Sequence, residues 1–182
     1  GRIKIVSGSG VARTGTKSLE HKNTRSADAP AISYTYLYRS SSAHSDMSAG
    51  VGSVSVGETY TFSAYAKVSA SAVDSVGELT LFELDKKGDV VNWTEEHHYP
   101  NQDGGIKASE KIGLNESEWK QIQVRKTIKF PNTTTLGVRF NNHKRGSTIY
   151  WDDVSFRKNL ANSDTIANAF NYELFVKKYD AG

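Results

Sequence analysis

The chain contains no cysteine in its 182 residues, which excludes disulfide staples, thiolate nucleophiles and cysteine metal sites. Secretion stays open, because a chain of this length buries roughly 70% of its unfolded surface and can hold one core without staples. Proline numbers only 3, so no proline-rich linker is encoded. No apolar run is long enough to cross a bilayer as a helix, and the opening "GRIKIVSGSG" lacks the apolar centre of a signal peptide. That start is expected of an excised piece or a mature protein, with no membrane partner. Charge of one sign is scarce as well. The net charge is +3 with a pI near 9.0, and the basic residues are scattered. This mild excess favours acidic partners and carries no nucleic-acid signature. Also missing are G-x-S-x-G, H-E-x-x-H, a phosphate-cradling glycine loop, internal repeats and low-complexity tracts.

What is present is an all-β rhythm: short alternating segments separated by Gly, Asn and Asp. Strands are expected at Arg2 to Val6, Lys17 to His21, Ala31 to Tyr38, Gly52 to Val56, Thr59 to Val68, Glu78 to Leu84 and Val90 to Thr94. Further strands are expected at Lys111 to Leu114, Trp119 to Phe130, Thr135 to Asn141 and Thr148 to Phe156. About ten strands in this length imply two packed sheets or a closed barrel in one domain. In "TYTFSAYAKV", Tyr60, Phe62, Ala64, Ala66 and Val68 share one face, leaving Tyr65 and Lys67 on the other. The same parity sets Gln123 and Arg125 opposite Ile122 and Val124, and Arg139 and Asn141 opposite Val138 and Phe140. These residues are expected to form one solvated sheet face. Between Glu95 and Glu118 the chain reads as a long loop. After Phe156 it offers a short helix near Asp164 to Phe170 and an apolar "YELFV".

The stretch "GSTIYWDDVSF" poses a packing problem. If Ile149, Trp151, Val154 and Phe156 all seek the core, Asp152 and Asp153 cannot both face water. Either a bulge lets both reach solvent or backbone N–H groups, or one carboxylate turns inward and takes a cation. As neighbours on a strand they point apart, so they do not form the facing acid pair of a glycosidase.

Three phrases combine here: "ARTGTKSLEH", "VGETYTFSAYAKVS" and "EWKQIQVRKTIKFPNTTTLGVRFNNHKRGSTIYWDDVSF". Their order and spacing resemble the jelly-roll carbohydrate-binding modules of the family four, nine and twenty-two type, from about Ile3 to Arg157. An early turn before Ser-Leu, a G-x-x-Y-x-x-S-x-x-x-K strand, a Trp opening a late strand and a closing D-D-V carry the resemblance. It implies a β-sandwich jelly roll of two antiparallel sheets over residues 1–158, with 159–182 as an extension or linker. It also implies no catalysis and a structural Ca²⁺ held by Asp152 and a carbonyl near Gly15. Six to eight oxygen donors are what such an ion requires. The sequence departs from the group's usual N-x-F-E opening, so donors near the N-terminus are not assigned.

Sugar recognition uses flat apolar rings for pyranose C–H faces and planar polar groups for hydroxyls. Candidates for these roles are Tyr34, Tyr65, Lys67, Trp93, Gln123, Arg125, Arg139 and Asn141, whereas Trp119 and Trp151 are expected in the core. The adjacent His97 and His98 point opposite ways on an extended segment and are not expected to share a metal. The expected function is a non-catalytic module holding a larger secreted enzyme against a polysaccharide. Lys67, Arg125 and Arg139 tilt the ligand towards an acidic or sulfated polymer. The alternatives are a jelly-roll polysaccharide lyase, whose R-x-E-x-R and Y-F-K-A-G signatures are missing, or an adhesion module of a surface protein.

Overall fold

A computed structural model of the chain describes residues 2–25, 33–36, 53–69, 75–88, 90–91, 107–115 and 118–159. Among the described residues nine strands form: β1 (Arg2–Ser7), β2 (Lys17–Lys22), β3 (Ser33–Tyr36), β4 (Thr59–Val68), β5 (Ser75–Leu84), β6 (Lys107–Leu114), β7 (Lys120–Thr127), β8 (Thr135–Asn142) and β9 (Thr148–Asn159). They make a five-stranded sheet of order β1-β2-β9-β4-β7 and a four-stranded sheet of order β3-β8-β5-β6. Every pairing is antiparallel, and no helix occurs among the described residues. The fold class expected from the sequence, an all-β jelly-roll sandwich, is the one observed.

The alternation of β4 decides which face turns inward: Phe62, Ala64, Ala66 and Val68 are buried while Ser63, Tyr65 and Lys67 are half-exposed. Across the interior they meet Leu79 and Leu81 of β5 and Leu136, Val138 and Phe140 of β8, and Trp151 of the neighbouring β9 in their own sheet completes the cluster. The ring of Phe140 lies 4.9 Å from Trp151 and 5.5 Å from Phe62, centre to centre. Burying each such side chain contributes about 1.5–3 kcal/mol. Gly77 makes room for the indole, since a Cβ there would stand 3.0 Å from Trp151 Cη2 and 3.1 Å from a Leu114 methyl.

Among the polar residues buried in the sandwich are an ion pair and a histidine. Glu83 and Lys126 are fully buried and paired at 2.6 Å. The Glu83 carboxylate also accepts the backbone N–H groups of Lys129 and Phe130, both at 3.0 Å, and the Thr133 hydroxyl at 2.6 Å. This explains why β7 does not run to Phe130: Ile128 N–H still meets a backbone carbonyl, Glu58 O at 2.8 Å, but the N–H groups of Lys129 and Phe130 turn to a side chain instead of a strand. His21, fully buried on β2, is held neutral by its burial, with its pKa lowered to about 4.

Other boundaries moved for similar reasons. The expected strand at Gly52 to Val56 is not one over Ser53–Val56; Val54 instead docks its apolar side chain and donates its N–H to Thr134 O at 3.2 Å. Val90 makes a single bridge to Leu84. The β6 strand begins at Lys107, inside the stretch expected to be loop, because Phe82 to Ser75 of β5 offer it a partner edge. At the other end β9 continues to Asn159, paired with Thr59. The expected helix near Asp164 to Phe170 and the rest of the extension after 159 lie outside the described residues.

Candidate functional site

The two aspartates sit at a bulge. Ser63 pairs with Ser155, but the next pair is Tyr65 with Asp152, so Asp153 and Val154 together oppose Ala64. Asp153 takes a left-handed backbone with φ 47°, a conformation that Asp tolerates better than most residues. Ile149, Trp151 and Phe156 can therefore all face the core, while Val154 packs against its border. The bulge alternative, in which backbone N–H groups meet the carboxylates, is the one that forms.

The loop from Gly8 to Thr16 folds over this bulge. Asp152, only 4% exposed, accepts the N–H groups of Arg13 (2.6 Å) and Thr14 (3.2 Å) on Oδ2, and that of Asp153 (2.8 Å) on Oδ1. Asp153 pairs with the Arg13 guanidinium and accepts the Thr14 hydroxyl. The bond from Arg13 to Asp153 raises the guanidinium pKa further. This set is the complement of an anion. Both Asp152 oxygens face N–H donors, the neighbouring cation is a guanidinium, and no group of three or more His, Cys, Asp or Glu converges among the described residues. Gly15 bends the loop in a left-handed conformation (φ 61°), and among the described residues no further carboxylate joins Asp152 and Asp153 there. These N–H donors do not fit the expected Ca²⁺.

The eight candidate ligand residues do not share one face. Tyr65, Lys67, Gln123 and Arg125 lie on the outer side of the five-stranded sheet, whereas Arg139 and Asn141 lie on β8 in the other sheet. Sequence parity set all of them opposite core residues, which is correct, but parity does not say to which sheet a strand belongs. The fold also engages two of the first group. The Arg13 guanidinium lies 3.6 Å from the centre of the Tyr65 ring, and Lys67 Nζ reaches Gly10 O at 3.4 Å and stands 5.9 Å from the half-buried Trp119 ring. Gln123 and Arg125 stay exposed. Trp93 lies outside the described residues. Trp151 is in the core as expected.

Around Arg139 and Asn141 the four-stranded sheet gathers the candidate Tyr34 and further residues the sequence reading did not single out. Asn141 pairs in register with Glu78 on one side and Tyr34 on the other; Arg139 pairs with Thr80 and Tyr36. Asn141 Nδ2 donates to Glu78 Oε2 at 2.8 Å and to Thr80 Oγ1 at 3.2 Å, and His143 Nε2 lies 2.6 Å from the same Glu78 oxygen. With its amide nitrogen committed, Asn141 turns its Oδ1 to a buried position without a partner among the described residues. Gly137, opposite Phe82, leaves that ring clear for the Arg139 guanidinium, 4.6 Å above its centre. The missed signal was in "ELTLF": Glu78, Thr80 and Phe82 share the parity opposite Leu79 and Leu81.

No protein-family profile matches the chain, and no curated protein matches it. Its fold is similar to the CBM22-1 xylan-binding domain of Paenibacillus barcinonensis Xyn10C, at TM-score 0.54 and 15% identity over 88% of this chain and 83% of that one. The CBM22-1-CBM22-2 tandem of the same protein matches at TM-score 0.54 and 14% identity, over 90% of this chain and 41% of that one. The enzymatically active domain of bacteriophage CBA120 tailspike protein 4 matches at TM-score 0.55 and 11% identity, over 86% of this chain and 18% of that one. At the level of fold, the resemblance read from the three phrases is borne out.

Proposed function

We propose that the chain is a non-catalytic carbohydrate-binding module that contacts a polysaccharide through the outer face of the four-stranded sheet. The observation that carries this is the oriented Asn141 amide. A buried carbonyl without a partner is worth about 1–3 kcal/mol to any group that supplies a hydrogen. Asn141 itself is 1% exposed, so a sugar hydroxyl reaches it only by displacing what lies over it beside the half-exposed Arg139 and His143, and such a hydroxyl also accepts a hydrogen from a neighbour such as Arg139. Glu78, Thr80 and His143 hold the amide in place, and Tyr34 and Tyr36 occupy the flanking register positions. This is the mixture of planar polar groups and aromatic residues that a pyranose chain requires.

The similar xylan-binding domain of Xyn10C supports the reading through its fold, and its tandem neighbour supports a modular setting. In that setting the module tethers a secreted polysaccharide-active enzyme, and the benefit is effective concentration. The closing strand in this reading is held by N–H groups of the loop around Gly15 rather than by calcium. The face carries the cation Arg139 and the acid Glu78, the latter bonded to Asn141 and His143, and this balance of charge suits a chain of neutral hydroxyls. An acidic or sulfated target belongs to the other sheet, taken up below.

Affinity electrophoresis through gels carrying neutral and acidic polysaccharides tests this. At least one polymer retards the wild type, and Asn141→Ala and Arg139→Ala, each with native circular dichroism, lose that retardation. Unchanged retardation of both folded variants overturns the assigned face. A rise in ultraviolet absorbance of a soluble uronate polymer, from new double bonds, would mark a lyase instead.

A further inference from the structure

We infer that the outer face of the five-stranded sheet is a second contact surface, one that takes the anionic groups of a sulfated or carboxylated polysaccharide. The charge accounting on that face is one-sided. Each acid near it is neutralised within the fold: Glu20 by Lys4 at 3.3 Å, Asp153 by Arg13, Asp152 by N–H groups, and Glu58 by Lys158. Two guanidinium groups are not. Arg125 of β7 and Arg157 of β9 are exposed, and neither has a partner among the described residues.

Their register makes them a pair. Both stand opposite Thr61 of the intervening β4, whose hydroxyl is turned to Asn159 at 3.0 Å. Two strand spacings separate them, roughly 9.6 Å between backbones. The adjoining row holds Gln123, Ser63 and Ser155, and exposed Gln121 follows in the next, beside Tyr65 and Asp152. A guanidinium fork matches sulfate or carboxylate oxygens bidentately, while amide and hydroxyl groups beside it match ring hydroxyls. An anionic sugar chain lying across this face meets two forks with neutral hydrogen-bonding groups beside them. The clamped Tyr65 and Lys67 bound the patch at the other end.

This inference rests on the carbohydrate-binding reading but on a different face, so the two fail separately. The full chain is run through affinity gels containing dextran sulfate, or the neutral polymer that retards it, across a salt series. Arg125→Gln/Arg157→Gln is expected to weaken dextran sulfate retention about tenfold, two exposed charge pairs' worth, and to flatten its salt dependence. Retention by the neutral polymer stays unchanged, whereas Asn141→Ala does the reverse. Dextran sulfate retention that is unaltered in the double variant overturns the inference. So does an equal loss in Lys22→Gln/Lys111→Gln, which would mean diffuse charge, or tighter binding of single-stranded DNA than of dextran sulfate. Loss on dextran sulfate alone, with no neutral polymer ever retained, leaves this surface standing and removes the other.

Discussion

Replacing Asp152 with asparagine separates two ways of holding the closing strand. In the structure the carboxylate answers three N–H donors, two on Oδ2 and one on Oδ1. An asparagine can keep its single oxygen towards Arg13 and Thr14, but it then sets an NH₂ group against the Asp153 N–H. One charge-assisted bond is lost and the others weaken, about 1.5–3 kcal/mol in all. For a chain of this size each kcal/mol moves the melting temperature by about 2–4 °C, so a fall of roughly 3–12 °C is expected. Thermal unfolding followed by near-ultraviolet circular dichroism, with excess EDTA or excess CaCl₂, is the assay. Neither addition should move the wild type or the variant. A wild-type melting temperature that drops in EDTA, beside an Asp152→Asn variant blind to it, would refute the N–H account and restore the ion.

The buried pair in the core gives a second test: Lys126→Met should cost about 3 kcal/mol in urea unfolding. Glu83→Leu should cost more, because it strands the Lys126 charge together with the N–H groups of Lys129 and Phe130; equal costs would contradict this. For His21, pH is the lever. The ring's pKa is lowered by burial to about 4 in the folded chain from 6.5, so between these values the unfolded chain binds a proton that the folded one refuses. Stability is then full above pH 6.5 and falls by about 3 kcal/mol as the pH drops towards 4. Urea midpoints between these pH values should show that slope, and His21→Met should flatten it. Glu58, whose carboxylate is lowered to about 2 chiefly by Lys158, adds its own loss as the pH falls below 4.5, so only the lower end of this window is shared and the slope above pH 5 belongs to His21.

Strand parity was legible because it is a local property. The inward set of β4, the outward Gln123 and Arg125, and the core position of Trp151 all follow from a period of two. Sheet membership was not legible. β7 and β8 are neighbours in sequence with similar patterns, yet β7 pairs with β4 and β8 with β5. That choice depends on long-range pairing, and it divides Arg125 from Arg139. The conflict at Asp152 and Asp153 was visible in the sequence, as was the bulge that resolves it. Its partners, the N–H groups of Arg13 and Thr14, stand well over a hundred residues away and leave no local trace. Asn141 was picked out by its residue type and face; the neighbours that orient it, Glu78 and Thr80, emerge only from the β5–β8 register.

The placement of β9 bears on how the protein is made. The last described strand to leave a ribosome is the central plank of its sheet, between β2 and β4. Until it emerges, the β1–β2 hairpin and the β4–β7 pair have no common partner, and each shows an unpaired edge to other chains. Fragments ending before Thr148 should therefore aggregate or be degraded, and any shortened version intended for binding work must keep the segment through Asn159.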